Sequence, residues 1–151
     1  MVIKKCYNIL LVEDNPDHVE LITDALQNVD LMKQIAVVHD GVEALDYIYH
    51  RGKYGARNPP KPDFVLLDIK LPQKDGFEVL REVKKDIRMK TIPIILLTSS
   101  SSDIEIEKGY KYGANSFVIK PLNFKEFTDK IKGVQLYWIW TNTLPPAFPH
   151  A

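Results

Sequence analysis

Four short apolar runs, each stopped by a polar residue, constrain the fold of this chain more than any other feature. Ile9-Leu10-Leu11-Val12 stops at Glu13-Asp14, and Phe64-Val65-Leu66-Leu67 stops at Asp68. Ile92-Pro93-Ile94-Ile95-Leu96-Leu97 stops at Thr98, and Phe117-Val118-Ile119 stops at Lys120-Pro121. Ala36-Val37-Val38 is a weaker fifth run. Strands buried on both faces read this way, as near-continuous apolar stretches without alternation.

The segments between the runs carry helical spacing and helix-start signals. Asn15-Pro16 offers an N-cap and a proline at the first helical position, followed by Val19, Ile22, Leu26 and Val29. Asp40-x-x-Glu43 and Asp75-x-x-Glu78 are acidic capping-box patterns, and Asn123-x-x-Glu126 opens the last helix. Ser102-x-x-Glu105 opens a weaker one, interrupted by Gly109 and poor in apolar residues. Five strands alternating with five helices predict an α/β fold, a doubly wound parallel sheet with helices on both faces. The alternation leaves strand order open. Arg51 to Pro62 is a long connection rich in Gly, Pro and basic residues, expected to be a solvated surface loop. The competing reading is a contact surface for an acidic partner.

Composition narrows the class. At 151 residues the chain is one ordinary domain, and 45% apolar with 26% charged residues is a soluble globular balance. Twenty Lys+Arg offset twenty Asp+Glu, which argues against a general nucleic-acid binder and against a polybasic membrane patch. The single Cys6 excludes an internal disulfide framework. No run approaches membrane-spanning length, and Met1 to Lys5 lacks a signal-peptide stretch, so a cytoplasmic location is expected. His18, His39, His50 and His150 show no metal-ligand spacing.

In an open parallel sheet, ligands bind beyond the carboxyl ends of the strands. The runs deliver Glu13, Asp14, Asp68, Thr98 and Lys120 to that edge. Each has an ordinary explanation alone, as a cap, a turn residue or strand filler. Five together at one edge point to chemistry. Crowded carboxylates call for a cation between them, and oxygen-only ligands suit Mg²⁺. A lysine and a hydroxyl beside such a site are placed to hold phosphoryl oxygens, with a carboxylate as acceptor.

These pieces, with Leu66 to Pro72, Asp75-Gly76, Pro93 to Thr98 and Gly113-Ala114-Asn115, make the chain resemble the receiver domain of two-component response regulators, whose fold is flavodoxin-like. The resemblance covers about Tyr7 to Lys132. It implies that Asp68 accepts a phosphoryl group from the phosphohistidine of a sensor histidine kinase. It implies Asp14, Asp68 and the backbone carbonyl of Lys70 as Mg²⁺ ligands, with Glu13 acting through a water. It makes Thr98 the switch hydroxyl, Lys120 the cation that pairs with the acceptor and then the phosphate, and Phe117 the switch aromatic. A cis Lys120–Pro121 peptide is expected on the same ground. Lys70 and Ser100 fall where the family tunes dephosphorylation.

The C-terminus adds a last stripe: Phe124, Phe127, Ile131, Val134 and Trp138. Leu136, Tyr137, Ile139 and Trp140 lie elsewhere on the same extended helix, making its end apolar nearly all round. The expected cover is a second copy in a homodimer, with the tail's own Leu144 and Phe148, or another partner, as the other candidates. The domain is expected over 1–140, with 141–151 as a tail and no output domain. The long loop and aromatic extension are similar to those of small regulators paired with bacterial phytochrome histidine kinases. Three other functions compete with a non-enzymatic signalling protein. An Mg²⁺-dependent aspartyl-phosphate phosphatase would want a second Asp two residues after a nucleophile on the first strand, and Glu13-Asp14-Asn15 lacks it. A phosphorylation-independent dimeric scaffold would want a missing acceptor or metal residue, and none is missing. A flavin-binding protein of similar fold fits the acidic edge poorly.

Overall fold

In the computed structural model, residues 6–146 are described. Five parallel strands form one sheet in the order β2-β1-β3-β4-β5. They are β1 (Tyr7–Val12), β2 (Lys33–Val38), β3 (Phe64–Asp68), β4 (Ile94–Thr98) and β5 (Ser116–Ile119). Every residue of β3 and β4 is buried, as strands covered on both sides must be. β2 and β5 lie at the sheet edges and are mostly half-buried.

Side chains leave each strand alternately, which splits the core in two. Leu10, Val12, Val65, Leu67, Ile94 and Leu96 pack on one face against α2 (Gly41–Tyr49) and α4 (Gly76–Lys85). Ile9, Leu11, Phe64, Leu66, Ile95 and Leu97 pack on the other against α1 (Pro16–Gln27) and α6 (Phe124–Gln135). A fifth helix, α5 (Asp103–Lys111), buries only Gly109. A Cβ there would meet Leu96 Cδ1 and the Phe117 ring at 2.9 Å, so the glycine lets this helix approach the sheet.

The capping signals do what their chemistry suggests. Asn15 Oδ1 accepts from Asp17 N at 2.9 Å with Pro16 inside the first turn. Asp40, Asp75 and Asn123 each accept from the backbone N–H three residues on. Ser102 stands at the N-cap of α5 without a side-chain bond.

Two segments depart from the sequence reading. The connection 51–62 contains a one-turn helix, α3 (Tyr54–Arg57), and is not merely a solvated loop. Tyr54 is buried, stacks edge-on to Tyr47 at 5.1 Å, and donates its hydroxyl to Glu43 Oε2 at 2.9 Å. Burial alone would raise the Glu43 carboxyl, but Lys53, the His39 N–H and Tyr54 together hold it down at about 2.

The chain after α6 continues as a π-helical turn, Leu136–Thr141. Trp138 and Ile139 are buried, whereas Leu136, Tyr137 and Trp140 remain exposed. Phe124 was expected in the buried stripe and is 71% exposed, because it sits at the first residue of α6, short of the sheet. Leu144 packs on the α1/α6 core, so the tail covers part of the apolar surface itself; Phe148 lies outside the described residues. A polar latch holds this end. Lys33 Nζ donates to Leu26 O and Val29 O at 2.7 Å each. In the amide orientation that satisfies both groups, buried Gln135 accepts from Lys33 Nζ at 3.2 Å and donates to Leu26 O at 3.1 Å.

Candidate functional site

The carboxyl edge of the sheet gathers the residues that the runs deliver. β1 ends one residue before Glu13, β3 ends on Asp68, β4 ends on Thr98, and β5 ends one residue before Lys120. Register keeps the edge level: Val12 stands opposite Leu67, Asp68 opposite Leu97, and Thr98 opposite Ile119.

Carboxylate oxygens of Glu13, Asp14 and Asp68 all lie within 4.8 Å of one another. Asp14 is exposed while the other two are buried. Two ionised carboxylates at that distance repel by about 3–4 kcal/mol at an effective dielectric of about 20. The edge is therefore stable only with protonation or a compensating cation. Lys120 supplies one internal cation. Its Nζ lies 2.5 Å from Glu13 Oε1 and 3.4 Å from Asp68 Oδ1. Asp68 still feels its surroundings: burial first and the Glu13 charge second push its carboxyl up to about 7, against the pull of Lys120. The donor set is all oxygen, clustered, and partly open to solvent through Asp14. It fits a divalent cation of the Mg²⁺ or Mn²⁺ kind.

Thr98 is buried, and its Oγ1 accepts from Ser100 N at 3.1 Å. Its backbone oxygen accepts from Lys120 N at 2.7 Å, which ties the hydroxyl strand to the lysine. Lys70 is exposed in the turn that follows β3. That turn folds back tightly, with Gly76 N donating to Ile69 O at 2.7 Å. A Cβ on Gly76 would collide with the Asp68 carbonyl oxygen, so glycine is required for α4 to start behind Asp68. Phe117 is half-buried, lies across Gly109, and has the Tyr110 ring 6.3 Å away.

Two findings differ from the sequence reading. The Lys120–Pro121 peptide is trans, as are all described peptide bonds. Lys120 reaches Glu13 and Asp68 without the cis form, and trans is the lower-energy isomer. The second is His18, which showed no metal-ligand spacing and still enters the site. Its Nδ1 lies 3.1 Å from Lys120 Nζ and 3.5 Å from Glu13 Oε1. The signal that could have found it is its place as the third residue of α1, directly behind the Asn15 cap.

Comparison with known proteins places this geometry. Residues 9–132 match the family described as the response regulator receiver domain. The chain is 40% identical over 138 residues to the probable methanogenesis regulatory protein FilR2 of Methanothrix harundinacea, covering 91% of this chain and 86% of the relative. It is 34% identical to response regulator Rcp1 of Synechocystis, covering 92% of this chain and 93% of that one. The crystal structure of the Mn²⁺-bound form of Rcp1 superposes with a TM-score of 0.87 at 33% identity, over 93% of this chain and 99% of that one. That of the phosphorylated cyanobacterial phytochrome response regulator RcpA superposes with a TM-score of 0.88 at 38% identity, over the same shares.

Proposed function

The chain belongs to the response regulator receiver family, and on that premise we propose that it accepts a phosphoryl group on Asp68 from a sensor histidine kinase and changes its interaction surface in response. The observation that carries this is the meeting of Lys120, Glu13 and Asp68 beside Asp14 at one sheet edge. In the transfer, a carboxylate oxygen of Asp68 bonds to phosphorus while the P–N bond to the donor imidazole breaks, and the imidazole keeps the electron pair. Asp68 must be ionised to attack, and Lys120 favours that form. Asp14, Asp68 and the Lys70 carbonyl would hold Mg²⁺ directly, and Glu13 through a water. The ion supplies charge neutralisation for the phosphoryl oxygens. Lys120 then pairs with one phosphoryl oxygen, and Thr98 Oγ1 leaves the Ser100 N–H to donate to another.

Movement of Thr98 is read out by Phe117, which repacks against Gly109 and Tyr110 and alters the face of α5 and β5. That helix buries little and is suited to shift. The similarity to Rcp1 and RcpA supports a phytochrome-type kinase as the phosphodonor. Exposed Leu136, Tyr137 and Trp140 support a homodimer through the end of the last helix. Residues 1–140 form the signalling unit and 141–151 its tail. No described helix is long and apolar enough to cross a membrane, and we place the protein in the cytoplasm. The test is phosphotransfer from an autophosphorylated phytochrome-type histidine kinase. Label should pass to the wild type and not to Asp68→Asn; equal labelling of both would sink the assignment.

A further inference from the structure

Lys120 carries three N–H donors on a buried ammonium. Each has an acceptor within reach: Glu13 Oε1 at 2.5 Å, His18 Nδ1 at 3.1 Å and Asp68 Oδ1 at 3.4 Å. An ammonium has no lone pair, so the His18 ring accepts at Nδ1 and keeps its proton on Nε2. Backbone and ring are each fixed: Asn15 Oδ1 accepts from the His18 backbone N–H at 3.3 Å, and Phe127 of α6 meets the imidazole edge-on at 5.8 Å. His18 Nδ1 is also 3.5 Å from Glu13 Oε1, so the two acceptors sit side by side around the ammonium. Asp68 has the longest of the three contacts.

We propose that His18 is a positioning residue for Lys120: beside Glu13, its Nδ1 holds the ammonium off Asp68 in the unphosphorylated protein and is given up when the lysine pairs with a phosphoryl oxygen. The inference rests on the receiver function proposed above and deepens it. A contact made in one state only biases the equilibrium toward that state. Removing the acceptor must therefore favour the phosphoryl-bearing state. A leucine keeps the bulk against Phe127 and offers no acceptor. An asparagine can place an oxygen near the position of Nδ1.

The test is calorimetric titration of the full chain with beryllofluoride, a phosphoryl mimic, at saturating Mg²⁺. His18→Leu should bind it about three- to tenfold more tightly than wild type, and His18→Asn should return the affinity toward wild type. Nitrogen NMR of the wild-type imidazole gives a second readout that needs no variant. The Nδ1 signal should move on beryllofluoride addition, as it loses its ammonium donor. Wild-type binding with an unmoved Nδ1 signal, or with His18→Leu equal to or weaker than wild type, overturns the positioning role alone. Absence of binding by the folded wild type overturns the receiver function and this role with it.

Discussion

Lys120 lies closer to Glu13 than to Asp68, 2.5 Å against 3.4 Å, and both partners of the shorter pair are almost wholly buried. A buried ion pair adds little net stability against an apolar replacement, but removing one partner leaves the other charge stranded. Here the stranded group would belong to a cluster of three carboxylates.

Lys120→Met should therefore lower stability in metal-free buffer by about 1–3 kcal/mol. Millimolar Mg²⁺ should restore part of the loss, because the three carboxylates remain. Urea unfolding with and without Mg²⁺ reads both numbers. A variant as stable as wild type without metal would mean that Lys120 does not compensate the cluster.

The raised carboxyl of Asp68 has a definite sign in linkage. Its folded value is about 7 against an ordinary carboxyl value of 3.8. Between those values the folded state holds a proton that the unfolded state has lost, so stability falls as pH rises from about 4 to about 7 and is flat beyond. Asp68→Asn should remove that slope and be more stable than wild type at pH 8 by about 1–3 kcal/mol. Mg²⁺ binding near pH 6 should release a proton from wild type and none from the variant, as buffer-dependent calorimetry would show.

Gly76→Ala should destabilise by about 2 kcal/mol or more, since its Cβ has no room beside the Asp68 carbonyl and neighbouring backbone cannot yield cheaply. Gly133→Ala is the control. Nothing lies within 4 Å of a Cβ there, so it should be neutral or slightly stabilising in thermal melts.

The exposed aromatics of the last turn predict self-association. Replacing Tyr137 and Trp140 together by Ser should weaken the dimer by about tenfold or more in sedimentation equilibrium. A wild type that stays monomeric at high concentration would assign that surface to another partner.

The parts of this molecule visible in its sequence are those set by local rules. β3 and β4 are apolar up to their last residues, Asp68 and Thr98, because both faces are covered, and Asn15, Asp40, Asp75 and Asn123 cap because short polar side chains reach the first turn. β2 was only half visible. As an edge strand it begins with Lys33 and Gln34, which do not read as core. Gly109 looked like a weakness in its helix and is a close approach to Phe117, a relation between a helix and the strand it packs on. The turn at Tyr54–Arg57 and the place of His18 were hidden for the same reason. Each depends on tertiary partners, Tyr47 and Glu43 for one and Lys120 for the other.

The most direct measurement is intact mass after incubation with Mg²⁺ and a small phosphodonor, beside Asp68→Asn and a metal-free control. One added phosphoryl group that requires both Asp68 and Mg²⁺ is the predicted result. An adduct that persists in Asp68→Asn, or that forms without metal, would contradict Asp68 as the metal-assisted acceptor.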